Sequence, residues 1–251
     1  TRERERYLSL SGSISQIKGW ENTNNGNHYR TWTDHSGTLA FERPLSWFGM
    51  MEISAGIQGR DYAGSNLTQS FPVLAVSFLT DTREDPTAES PGSRFYINAG
   101  WCPAADHTFN SLTWDLASRE HITGDILGGI HSWGSLLWGE VYPWQHSRLT
   151  ASRGIPGYRW NSLPTRERIG GGISISRTVT GPFFLESETA GSWDFSGFPE
   201  FGSGRLNWGT SLKFSVNIPG GTASLGPEWN DRGDERWSFT YGSDYSFGPG
   251  R

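Results

Sequence analysis

The sequence predicts an all-β chain: one closed antiparallel β-barrel of about twelve strands, built to cross a membrane. Three observations predict it. Side-chain character alternates with period two from one end of the chain to the other, which is the spacing of an extended strand with two unlike faces. The alternating runs are longer than the five or six residues usual in soluble sheets. The composition is rich in Gly (33 of 251) and in aromatics (14%, with 13 Trp), while Lys18 and Lys213 are the only lysines.

The first expected strand, 6–19, sets Leu8, Leu10, Gly12 and Ile14 against Ser9, Ser11, Ser13 and Ser15. Strands at 29–41, 47–58 and 71–80 follow, separated by Gly, Asn and Pro turn residues. In 94–101, Phe95, Ile97, Ala99 and Trp101 oppose Tyr96, Asn98 and Gly100. In 110–119, Leu112, Trp114 and Leu116 oppose Thr113, Asp115 and Ala117. Two strands are expected at 122–131 and 133–142, with a single long strand as the other reading of that stretch. After a long connection, 143–168, come 168–177, 183–195, 205–218 and 235–247. The clearest alternation is Leu206, Trp208, Thr210, Leu212, Phe214, Val216 and Ile218 against Asn207, Gly209, Ser211, Lys213, Ser215 and Asn217. Ten to fourteen strands fit the turns, and twelve fits them best. No linker or repeat divides the chain, so residues 1–251 read as one domain.

No stretch reaches the roughly 20 apolar residues of a spanning helix, whereas a tilted strand of about 9–11 residues crosses a bilayer. Only a closed hydrogen-bonded sheet can then satisfy the backbone in hydrocarbon. A mean hydropathy of −0.54 is compatible with this, because a barrel strand is apolar on one face alone. Excess Trp suits rings at the membrane–water boundary, and Trp101, Trp114, Trp138, Trp193, Trp208 and Trp237 are the candidates. The net charge is −5, and no basic patch suggests nucleic acid. Cys102 stands alone, so no internal disulfide forms.

The end of the chain, Thr240-Tyr241-Gly242-Ser243-Asp244-Tyr245-Ser246-Phe247, carries a polar residue, a Gly two places on, and aromatics at alternate positions. It resembles the C-terminal targeting strand of bacterial outer-membrane β-barrels, with Gly248 to Arg251 as a departure from that pattern. The resemblance implies Thr240, Gly242, Tyr245 and Phe247 as an assembly signal, the bacterial outer membrane as location, and lipid and the outer-membrane assembly machinery as partners. Both chain ends would lie in the periplasm. The expected strand order then puts 143–168 on that same side, where the class keeps short turns. That connection, with Trp144, His146 and Trp160, is expected to fold into or over the barrel mouth, or to touch other envelope proteins.

The six histidines lack metal-ligand spacing, and no Gly-x-Ser-x-Gly elbow occurs, so neither a metal, a cofactor nor catalytic residues are expected. Arg232-Gly233-Asp234 is read as an ordinary turn, and Asn24, His28, Asp34 and His35 as a solvated loop. Charge on the lipid face is costly. Strand charges are therefore expected to line the lumen: Asp115, Arg119, Glu140, Arg177, Glu186, Glu188 and Lys213. These expectations make the chain a channel for small hydrophilic solutes or an envelope-assembly subunit. Two rival readings use the same residues. One is a soluble Trp-rich β-sandwich that binds or hydrolyses polysaccharide, with Trp138, Trp144 and Glu140 in a groove. The other is a barrel enzyme acting on lipid A or phospholipid.

Overall fold

A computed structural model describes residues 7–23, 26–45, 49–62, 68–83, 90–103, 108–140, 155–158, 167–195, 204–218 and 221–242. The strands are β1 (Tyr7–Thr23), β2 (Gly26–Pro44), β3 (Gly49–Tyr62), β4 (Thr68–Asp81), β5 (Gly92–Pro103) and β6 (Thr108–Thr123). The remaining six are β7 (Ile126–Gly139), β8 (Glu167–Thr180), β9 (Phe183–Phe195), β10 (Arg205–Ile218), β11 (Gly221–Asn230) and β12 (Glu235–Gly242). They form one twelve-stranded antiparallel sheet in sequence order. Among the described residues no pairing joins β12 back to β1. β1 is accordingly accessible on both faces: Leu10 is 83% exposed, and Ser11, Ser13 and Ser15 are exposed too.

The alternation read from the sequence is the alternation of the faces. Leu206, Leu212 and Phe214 are exposed, while Asn207, Ser211 and Ser215 are at most 1% exposed. This reverses the soluble pattern, in which the apolar face of a sheet is the covered one. Register carries it from strand to strand, since directly paired residues share a face. Asn207 sits opposite Ser192, Ser211 opposite Glu188, and Ser215 opposite Phe184. Apolar stripes are not stacked between two sheets, as the sandwich reading requires. They form one continuous exposed surface.

Twelve strands arise from two offsetting corrections. Residues 126–139 are the single strand β7, and the hairpin turn before it is Gly124-Asp125, where Gly124 takes φ 47. A two-residue turn of this kind favours positive φ, which glycine reaches at no steric cost. The strand missing from the sequence expectation is β11. Its Pro227 lacks an N–H and interrupts the ladder: β10–β11 pairing runs through Ser211↔Glu228, skips Leu212 and Lys213, and resumes at Phe214↔Leu225.

These corrections move the long connection. Tyr7 and Gly242 lie at one end of the strands. The connections β2–β3, β4–β5, β6–β7, β8–β9 and β10–β11 are at that near end. The β7–β8 connection, 140–166, is at the far end, with the other odd-to-even turns. It does not share a side with Tyr7 and Gly242, contrary to the expectation above.

The strand expected at 29–41 extends over Gly26–Pro44, so His28, Asp34 and His35 lie on a strand rather than in a solvated loop. In β2, Asp34 is buried and accepts two hydrogen bonds from Arg60 of β3, from Nε at 2.7 Å and Nη2 at 3.1 Å. His35 takes the other face, with Nε2 2.9 Å from Ser70 Oγ.

Candidate functional site

The polar face of β7–β12 carries a connected network of rings, ion pairs and hydrogen bonds. Its floor is small. Gly170 lies under the ring of Trp133, where a Cβ would come within 2.5 Å of the indole, and Gly172 lies under His131. Large side chains therefore lie flat along the sheet instead of standing away from it. Trp133 is 1% exposed and packs with Ile155 and Tyr158 of the long connection. Arg168 stacks its guanidinium 6.0 Å from the Trp133 ring centre. It is fixed there by Asp194, which accepts from Nε at 2.6 Å and Nη2 at 2.8 Å. Ser192 Oγ and Asn207 Nδ2 donate to the same carboxylate.

Residues 155–158 form a turn docked on this face at its far end. All four are buried. Gly157 donates its N–H to Glu228 Oε2 at 2.9 Å, and its carbonyl accepts from Asn230 Nδ2 at 3.0 Å. Gly157 takes φ +80, and a Cβ there would lie 2.5 Å from the Trp229 backbone, so no other residue fits. Gly209 has no room for a side chain either, because the Pro156 carbonyl occupies its Cβ position. The Tyr158 hydroxyl donates to Asp231 Oδ1, and Arg232 covers the Tyr158 ring at 5.2 Å.

Glu228 holds the arrangement together. Besides Gly157 it accepts from Arg236 Nε at 2.8 Å and Nη2 at 2.7 Å, from Ser238 Oγ at 2.6 Å, and lies 3.0 Å from Lys213 Nζ. One carboxylate thus ties β10, β11, β12 and the long connection. In the β11–β12 turn, burial alone would raise the Asp231 carboxyl. The Tyr158 hydroxyl, the Trp208 N–H and the Arg205 charge outweigh that and hold it below the ordinary carboxylate range. Tyr158 shifts the opposite way, raised first by burial, then by the hydrogen bond and charge of Asp231.

The residues singled out from the sequence divide. Asp115, Arg119, Glu186, Glu188 and Lys213 share the polar face with Trp133, as their register shows. Arg119 Nη2 is 3.2 Å from Glu186 Oε1, and His131 Nε2 is 3.5 Å from Glu188 Oε1. Lys213 lies directly across from Glu186, and its Nζ is 3.0 Å from Glu228 Oε1. Arg177 lies on the apolar-stripe face beyond Ile173 and Ile175, reaching Asp125 of the near-end hairpin at 2.9 Å. There it clears the apolar band. Glu140 follows β7 at the far end and is exposed. Of the carboxylate–tryptophan groove of the polysaccharide reading, Trp138 is on the apolar face, Glu140 is exposed at the end of β7, and Trp144 lies outside the described residues.

All six candidate tryptophans are on the apolar face. Trp101, Trp138, Trp193, Trp208 and Trp237 gather towards the far end, joined by Trp229. Trp114 instead lies mid-strand over Gly134. Phe rings mark the near end: Phe78 and Phe95 meet edge to face at 5.7 Å, and Phe183 stacks on Phe214 at 5.7 Å. Of the terminal motif, Thr240 and Gly242 are in β12, paired with Ser224 and Thr222. Tyr245 and Phe247 lie outside the described residues.

The sequence expectation read Asp34 as loop and missed Arg60, Arg168, Asp194, Glu228, Asn230 and Asp231. Alternation carried the signal for Asp34, Arg60, Arg168 and Asp194, each in step with Ser, Gly or Asn on its own strand. The last three were hidden with β11 and its turn. Among the described residues no group of three His, Cys, Asp or Glu side chains is arranged to hold a metal.

No family model matches the chain, and no curated protein does either. Among solved structures it is similar to the crystal structure of BamA from Haemophilus ducreyi lacking POTRA domains 1–3, with a TM-score of 0.75 at 9% identity. The match covers 94% of this chain and 59% of that one, so the chain spans about three fifths of the BamA chain's length. At that identity the likeness establishes the fold: a long antiparallel meander of the BamA type.

Proposed function

We propose that residues 1–251 close into a single-domain barrel of the bacterial outer membrane, and that its polar face lines a narrow path for small hydrophilic solutes. The observation that carries this reading is the reversed burial of the strands, with Leu, Ile and Trp outward and Ser, Asn and charge covered. From Leu206 to Ile218 the apolar stripe runs about 40 Å along the strand at about 3.3 Å per residue, or about 30 Å across a bilayer at a tilt near 40°. That span matches a hydrocarbon core, and the Trp and Phe rows at its ends suit the two interfaces.

The polar interior accounts for the strand charges. Arg119, Glu186, Glu188, Lys213 and Asp115 line the path beside Glu228, and the turn at 155–158 narrows it. A path lined by paired charges selects small polar solutes by size and charge, and passive passage asks for no catalytic group or cofactor. Assembly would proceed through recognition of the β12 segment by the outer-membrane machinery, with the remainder of 143–168 available to envelope partners.

Reconstitution into planar bilayers tests the reading. Wild-type protein is expected to give discrete conductance steps. Glu186→Gln is expected to shift selectivity towards anions and Lys213→Gln towards cations. A heat-modifiable barrel without conductance would make it a non-conducting envelope subunit instead.

A further inference from the structure

The apolar face is not uniformly filled. A groove of about 690 Å³ crosses β1 to β7, from Leu8 to Trp138. It follows two adjacent register rows. One passes through Phe41, Ile53, Val76, Ala99 and Leu112, and the other through Leu39, Ala55, Leu74, Trp101 and Asn110. Ala55 and Ala99 make its floor, and longer side chains make its walls. Its lining includes Ser54 and Ser111, which alternation assigns to the other face. Asn110 is therefore the one polar side chain that alternation directs into it. Asn110 lies directly opposite both Trp101 and Trp138, in the tryptophan row at the far end.

Shape and chemistry together name the occupant. Six inter-strand spacings of about 4.8 Å make the groove about 29 Å long, and about 690 Å³ spread over that length makes it narrow and shallow. A helix, about 10 Å across, would stand mostly outside it. An extended peptide would lose water from its N–H and C=O groups against a wall offering one amide, a cost of several kcal/mol per unpaired group. A hydrocarbon chain has no such groups and loses nothing. We propose that this groove is a binding site for one acyl chain of a membrane phospholipid, with the ester region held by Asn110 between Trp101 and Trp138. The proposal rests on the apolar face lying in a bilayer, as argued above.

Native mass spectrometry of protein extracted in mild detergent tests it, with heat-modifiability as the independent check that the barrel is formed. Wild type is expected to retain one diacyl phospholipid. Ala99→Phe fills the floor and is expected to lower occupancy at least about tenfold while the heat-modifiable band persists. Asn110→Leu keeps the groove but removes the amide, and is expected to weaken retention by a smaller factor. Ile130→Phe, on the same face outside the groove, is expected to retain lipid as wild type does. A heat-modifiable wild type carrying no stoichiometric phospholipid, a retained sterol or peptide in its place, or an Ala99→Phe protein as loaded as wild type would each overturn the proposal. Loss of heat-modifiability in the wild type would instead sink the barrel reading beneath it.

Discussion

Glu228 shows what a buried charge does when its partners are all supplied. Taking a carboxylate out of water costs several kcal/mol, repaid only by close, well-aligned donors. Glu228 has Arg236, Lys213, Ser238 and the Gly157 amide around it. Glu228→Ala leaves two cations unneutralised on a covered face and is expected to cost about 3–5 kcal/mol. Urea titration of the reconstituted protein reads that loss, and faster proteolysis within 143–168 reads the undocking of the turn. Tyr158 and Asp231 make the same dock sensitive to pH, with signs that follow from the two shifts. Asp231 is lowered, so its contribution is present above the ordinary carboxylate value of 3.8 and fades as pH falls through its lower folded value. Tyr158 is raised from 10.0, so its contribution is present below that pH and is lost as pH rises through its folded value. Ultraviolet titration is expected to show the phenol missing from Tyr158→Phe ionising above 10.0 in the wild type. An ordinary midpoint would mean the hydroxyl is not docked on Asp231.

A single strand, β10, carries the two-faced logic most plainly. Its apolar residues meet the surroundings and its Ser, Asn and Lys residues are covered, so neighbouring positions obey opposite rules. Leu212→Arg puts a cation in the middle of the apolar stripe and is expected to cost about 2–4 kcal/mol in lipid. Ser215→Ala, three residues on, deletes only the 2.8 Å hydrogen bond to Ser224 and is expected to cost about 1 kcal/mol. Equilibrium unfolding from vesicles compares the two. Equal costs would remove the reason for placing one face in lipid. β11 is the element that breaks local rules, with Pro227 inside a central strand and Gly226 so close to β10 that a Cβ would strike Leu212 O. Its neighbours on both sides hold it in place despite that weak local preference.

Among the described residues the sheet leaves two edges, β1 and β12, whose backbone groups need partners. Pairing them with each other satisfies both edges and makes the interior continuous. Cysteines replacing Ser11 on β1 and, in turn, Ser238 or Thr240 on β12 all lie on the polar face, and a disulfide requires Cα atoms within about 7 Å. Oxidised cross-linking of one such pair in membranes is expected. Its absence from every pair, with the protein still heat-modifiable, would mean that the edges meet other strands. The far end carries the tryptophan row and the docked turn, while the near end carries Tyr7, Gly242 and most of the tight turns. The two ends of the sheet are therefore chemically distinct.

The sequence by itself determined the extended character of the chain and the two faces of most strands. Those properties are local: they follow from alternation at period two, which survives without knowledge of any neighbour. Which face is covered is not local, and only the structure decided it against the sandwich reading. The sequence also pointed to Arg119 and Glu186 on one face, because parity within each strand is enough for that. Only the tertiary structure decided which charges meet. Lys213 turns to Glu228 because β11 lies beside β10, and β11 was invisible where Pro227 and Gly226 erase the pattern. The same missing strand and the hairpin at Gly124 reversed the side on which the long connection lies. The docking of Ile155 to Tyr158 was beyond any local signal as well. It depends on a glycine floor, an indole and a carboxylate contributed by strands far apart in the chain, brought together only in the assembled sheet.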